Sequence, residues 1–139
     1  MRKRVLGLEH PNTLTKIHNL ASTYRNQGQW KEAEELFMQV IEIRKRVLGP
    51  EHLDTLTSIY NLALTYRNQG RWKEADELFM QVMETRKRVL GPEHPDTLTT
   101  MNNLAWVFLI QGRWKEAEEL GMQVMETRKR CLGRSTQLR

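Results

Sequence analysis

"NLALTYRNQGRWKEADELF", residues Asn61–Phe79, decides the fold. Leu62, Ala63 and Tyr66, with Leu56 and Ile59 just upstream, fall at the three- and four-residue steps of one helical face. Asn68-Gln69-Gly70 stops that helix, because Gly70 can take the left-handed conformation that ends a helical turn. A second helix begins at Trp72, and Trp72, Ala75, Phe79, Val82 and Val89 carry its apolar face. Upstream, Asp54 is a good N-cap, with Thr55 and Leu56 following. Downstream, Gly91-Pro92 closes the second helix. The spacing predicts a pair of helices, the first about 14 and the second about 18 residues long, joined by a short turn.

The pair is repeated. "RKR" recurs at Arg2–Arg4, Arg44–Arg46, Arg86–Arg88 and Arg128–Arg130, a period of 42 residues. The chain divides into Arg2–Ile43, Arg44–Thr85 and Arg86–Thr127, with a C-terminal stub, Arg128–Arg139. Near-identity at a fixed period means an array of one supersecondary unit, each packed on its neighbours. The opening "RKRVLG" reads as the end of a unit whose beginning is missing, so the sequence looks cut from a longer array.

Composition agrees with such an array. A hydrophobic fraction of 39% and a charged fraction of 28% suit a helical, surface-rich protein better than an enzyme built round a buried sheet. The single cysteine, Cys131, leaves no intrachain disulfide, and a reducing, cytoplasmic setting is expected. No apolar run approaches the ~18 residues that span a membrane. The formal charge is +5, yet it is spread along the chain. "KEADEL" and "KEAEEL" put carboxylates in the first turns of the second helices, and "RKR" falls in their last turns. Both placements suit the helix dipole. The bases lack the interleaved aromatics and glycines that stack on nucleotides. A nucleic-acid-binding helical repeat is therefore the alternative rather than the first reading.

Leu62-Ala63-x-x-Tyr66 followed by Ala75 and Phe79 resembles the tetratricopeptide repeat. The first unit has the matching Leu20, Ala21, Tyr24, Ala33 and Phe37. The third keeps Leu104, Ala105 and Ala117 but has Phe108 for the tyrosine and Gly121 for the phenylalanine. The alanines are expected where two helices cross closely. The 42-residue unit with its long second helix is similar to the repeats of kinesin light chains and to the sensor arrays of fungal nucleotide-binding immune-type receptors. The resemblance implies an all-α fold, a right-handed α-solenoid of antiparallel helix pairs, whose first helices line a concave groove. It also implies a protein or peptide as the ligand.

Nothing in the chain suggests chemistry. His10, His52 and His94 recur once per unit, too far apart in sequence to be read as one metal site. A structural role, such as hydrogen bonding across the loop, is expected. No metal-protease, Cys-x-x-Cys or phosphate-loop motif occurs. The expectation is a non-catalytic interaction scaffold with no cofactor and no metal.

The asparagines are the strongest candidate ligand residues. Asn19, Asn61 and Asn103 precede the Leu-Ala pair in every unit, and an amide can hold a ligand's backbone N–H and C=O together. The competing reading is that each bonds to a neighbouring helix. Residues about one turn away share the same face. In the first unit these are Thr15, His18, Ser22, Arg25 and Asn26. In the second they are Thr57, Tyr60, Leu64, Arg67 and Asn68. In the third they are Thr99, Asn102, Trp106, Leu109 and Ile110. The stripe is thus polar and basic in the first unit and apolar in the third. Three readings of the apolar end stand side by side: packing against the stub through Leu132 and Leu138, pairing with another copy, or anchoring a ligand whose acidic segment meets Arg25 and Arg67. The loss of Phe79's counterpart at Gly121 also calls for compensation, by Trp106, Val107 or Ile110 leaning into the gap.

Overall fold

The computed structural model describes residues 10–137, with side chains described to Gly133. The opening "RKRVLG" and Leu138 lie outside the described residues. Six helices follow one another: α1 (Pro11–Asn26), α2 (Trp30–Leu48), α3 (Leu53–Asn68), α4 (Trp72–Val89), α5 (Pro95–Ile110) and α6 (Trp114–Gln137). Among the described residues there is no strand. The chain forms two compact units, Met1–Leu78 and Phe79–Arg139, and the division falls inside α4.

The turns are made as the sequence implies. Gly70 sits at φ +76, and the Arg71 amide donates back to the Tyr66 carbonyl at 2.9 Å, so the chain reverses within a few residues. A left-handed residue there needs glycine, since a Cβ crowds the following carbonyl. The helix starts differ from expectation. The cap of α3 is His52, one residue before the helix, and not Asp54. Its Nδ1 accepts the Asp54 amide at 3.1 Å. His10 caps α1 and His94 caps α5 in the same way, through the amides of Asn12 and Asp96. An imidazole nitrogen replaces the usual hydroxyl or carboxylate oxygen, and the helix dipole meets Asp54 or Asp96 in the first turn instead. The recurring histidines are therefore structural caps.

In the first unit α1 packs on α2 and α2 on α3. Ala21, Ala33, Ala63 and Ala75 are fully buried, with Phe37, Val40, Leu56 and Ile59 filling the space around them. Close helix crossing needs the small side chains, and added methylenes would force the helices apart at about 1–3 kcal/mol. In the second unit α5 packs on α6. Its core is Phe79, Val82, Met101, Leu104, Val107, Phe108, Ala117 and Val124. Val107 and Phe108 face the core as their positions require. Ala105 is only half buried, and Val89, read as part of the apolar face of α4, is exposed.

At Arg44 and Arg86 the first arginine of "RKR" does more than meet the helix dipole. Arg44 is buried and donates from Nη1 to the Ser58 hydroxyl at 2.7 Å and to the Asp54 carbonyl at 3.1 Å. Arg86 is buried and reaches the Thr100 hydroxyl at 2.8 Å. Each guanidinium ties a second helix to the first helix of the next repeat. Lys45, Arg46, Lys87 and Arg88 stay exposed at the helix ends, as the dipole argument expects.

Candidate partner-binding surface

The eighteen positions read from the sequence as a ligand stripe lie on α1, α3 and α5, and every one is exposed or half buried. The helices' buried faces carry Leu14 and Ala21 on α1, Leu56, Ile59 and Leu62 on α3, and Leu98, Met101 and Leu104 on α5. The 3.6-residue period that buries one set must turn the other away.

In the first unit, three of these residues form one cluster. Arg25 Nη1 donates to Asn61 Oδ1 at 2.6 Å, joining α1 to α3. The Asn61 amide group donates to the Thr57 carbonyl at 2.8 Å, and its nitrogen lies 3.4 Å from His18 Nε2. So Asn61 bonds to the neighbouring helix, the competing reading for that asparagine. Asn103 donates to the Thr99 carbonyl of its own helix at 3.1 Å. Asn19 is exposed, and its carbonyl accepts the Thr23 hydroxyl.

Charge in this cluster is under pressure. Burial, and then repulsion from Arg67, lowers the pKa of Arg25, while Tyr60 acts in the opposite sense. An anion placed beside Arg25 would favour its charged form and so offset both causes. His18 stands edge-on to Phe37 at 5.3 Å between ring centroids. Burial, then Arg44 and Arg25, lowers its pKa. In its Nδ1–H tautomer a neutral imidazole presents Nε2 as an acceptor to the Asn61 amide group. His18 is therefore a support for the cluster as well as part of its face.

In the second unit the corresponding face is apolar. Trp106, Leu109 and Ile110 are 47%, 42% and 41% exposed, and the stub's Leu138, one of the two residues expected to pack on them, lies outside the described residues. The stub prolongs α6 to Gln137, with Leu132 69% exposed. Nor do these side chains fill a gap at Gly121. A Cβ built there would meet no neighbouring atom within 4 Å, so Trp106, Val107 and Ile110 all stay clear of it; Trp106 and Ile110 are about half exposed and Val107 is buried.

Two further contacts were not legible as function. Arg71 bridges Glu34 at 3.0 Å and Glu74 at 2.7 Å while lying over the Tyr66 ring, 4.4 Å from its centroid. Arg113 pairs with Glu116 and covers the Phe108 ring at 4.2 Å. Both arginines follow the turn glycine, and that position was the only sequence signal for them. Among the described residues no group of three or more His, Cys, Asp or Glu could hold a metal ion. No described helix is long and apolar enough to cross a membrane.

Helix pairs at a fixed period, small residues at the crossings and ligand-type residues on the first helices define an all-α helical repeat of the solenoid class. The family model for the tetratricopeptide repeat matches residues 1–45, 12–87 and 54–130, and the chain belongs to that family. Among solved structures it is similar to a kinesin-light-chain-like protein of Podosopora anserina with nearly identical TPR-like repeats. That protein is 37% identical, with a TM-score of 0.77 over 88% of this chain and 58% of the other. A variant of the same protein gives a TM-score of 0.78 over 89% and 58%. BtubC (BKLC) from P. vanneervenii is 19% identical, with a TM-score of 0.79 over 85% of this chain and 46% of its own, and shares the fold. The chain thus spans less than two thirds of the length of these structures. No curated protein matches it. Repeats of this kind are protein-interaction scaffolds as a class.

Proposed function

We propose that the chain is a non-catalytic scaffold that binds a peptide or protein segment on the exposed faces of α1, α3 and α5. The observation that carries this reading is the contrast between two faces. One holds a partly buried arginine, Arg25, positioned by Asn61 and repelled by Arg67. The other holds exposed Trp106, Leu109 and Ile110. The first suits a carboxylate-bearing segment, and the second suits an aliphatic or aromatic anchor. At the first face charge orients the bound segment, and at the second burial of the anchor supplies most of the affinity. Each apolar side chain covered contributes about 1.5–3 kcal/mol.

The test is a panel of fluorescent peptides, acidic at one end and apolar at the other, titrated with the chain. Arg25→Glu should weaken the acidic peptides, and Leu109→Arg/Ile110→Asn, which restores the second unit's residues, should weaken the apolar ones. A panel that ignores both changes would sink the proposal. An oligonucleotide in the same assay checks the alternative class. Tight binding that falls steeply with added salt would mark a nucleic-acid binder instead.

A further inference from the structure

The Asn61 side chain is held from two sides by groups that fix which way its amide points. Arg25 can only donate, and its Nη1 meets Asn61 Oδ1 at 2.6 Å. The Thr57 carbonyl can only accept, and it takes one Nδ2 proton at 2.8 Å. The other Nδ2 proton has His18 Nε2 as its neighbour at 3.4 Å. A ring nitrogen facing a donor must accept, so neutral His18 carries its proton on Nδ1. Arg25, Asn61 and His18 thus form one hydrogen-bonded chain that ties α1 to α3.

A second proton on His18 sets that chain against itself. Nε2–H then faces Nδ2–H, and two donors meet. Asn61 can answer the charged ring only by rotating its amide half a turn, which brings Oδ1 to Nε2–H. The same rotation brings Nδ2 to Arg25, again a donor against a donor, and the Arg25 bond is lost. The groups around His18 decide when this happens. Burial, Arg44 from α2 and Arg25 from α1 oppose its charge, whereas Asp54 from α3 and a hydrogen bond with the Asn19 side chain favour it. The balance lowers the pKa, so the ring is neutral at pH 7 and charges only in mild acid. The matching positions in the later units are Tyr60 and Asn102, which do not change charge between neutral pH and pH 5.

We propose that His18, Asn61 and Arg25 form a proton-operated latch: neutral His18 keeps Arg25 tied to α3, and charged His18 turns Asn61 and releases Arg25 to a carboxylate. An acidic segment then binds more tightly on acidification, for two reasons. Asn61 no longer competes for the guanidinium, and the imidazolium adds a positive charge beside it. By linkage, a bound carboxylate raises the affinity of His18 for its proton in turn. The effect on a ligand rests on the scaffold reading above, whereas the latch itself does not.

The latch is tested without ligand, by NMR of the histidine ring nitrogens and the Asn61 and Arg25 side chains of the whole chain between about pH 7.5 and pH 5. The expected result is an Nδ1–H form of His18 at the upper end, with Asn61 and Arg25 signals that move at the same midpoint as the ring. Asn61→Ala removes the donor that favours neutral Nε2, so it should move the His18 midpoint up. A neutral ring with its proton on Nε2, a ring that stays neutral down to pH 5, or a ring that titrates while Asn61 and Arg25 stand still overturns the latch. The ligand arm uses a labelled tetra-aspartate peptide, whose carboxylates stay largely ionised across the range. Its affinity should rise at least about fivefold on acidification. His18→Gln offers an amide oxygen that accepts but does not titrate, and it should abolish the rise. Equal affinity at both ends of the range overturns the coupling to the ligand face. A peptide that binds at no pH counts against the scaffold reading instead, and the NMR midpoints still decide the latch.

Discussion

At the scale of single residues, histidine does two different jobs here. His52 and His94 each accept one amide at the start of a helix. Replacing His52 with alanine should lower stability by about 1 kcal/mol, the usual effect of losing an N-cap, while His52→Asn should restore most of it. Chemical denaturation of the three proteins checks this. His18 is buried against Phe37 beside Arg25 and Arg44, and its pKa is lowered in the folded chain. The unfolded chain then binds more protons, so stability falls as the pH drops through the unfolded value of about 6.5 and levels off below the folded one. His18→Gln should flatten that part of the stability profile between neutral pH and pH 5. A profile unchanged by the substitution would show that His18 is not its source.

Among the elements, the two kinds of glycine separate cleanly. Gly121 lies within α6, and a Cβ there meets nothing within 4 Å. Gly121→Ala should therefore raise stability by about 1 kcal/mol, the difference in helix propensity. Gly70 is left-handed at φ +76, so Gly70→Ala should lower stability by about 1–2 kcal/mol even though the space around it is nearly open. Thermal melts of both variants should move in opposite directions. The same comparison explains why phenylalanine stands at position 37 but not at 121. Phe37 is fully buried where α1, α2 and α3 pack in succession. At Gly121 an added Cβ meets nothing within 4 Å.

For the whole molecule, stability in a repeat array is a sum over units and their interfaces. Near the end of α6, Arg128, Leu132 and Gly133 are all exposed. Amides beyond Thr127 should exchange with solvent much faster than those of α2 and α3, whose cores are closed. Hydrogen exchange resolved by residue checks this, and slow exchange throughout α6 would show that its outer stripe is already covered in solution. The scaffold reading belongs to this scale as well. In that proposal Arg25 on α1 supplies the basic face, and Trp106, Leu109 and Ile110 on α5 supply the apolar one.

Periodicity determined the helix pairs, the turn glycines, the crossing alanines Ala21, Ala33, Ala63 and Ala75, and most of the face left to solvent, Ala105 and Val89 being the departures. These follow from the 3.6-residue turn and from the 42-residue recurrence, which are properties of the chain's own order. The tertiary structure decided what each polar residue on those faces does. Histidine rather than aspartate caps the helices, Asn61 is held by Arg25 and lies against His18, and the first arginine of two "RKR" runs is drawn inside at Arg44 and Arg86. The reason is that a polar side chain has several partners it can satisfy, and sequence spacing does not choose among them. The choice is made by which donors and acceptors the neighbouring helix brings within hydrogen-bond distance once the apolar faces have closed.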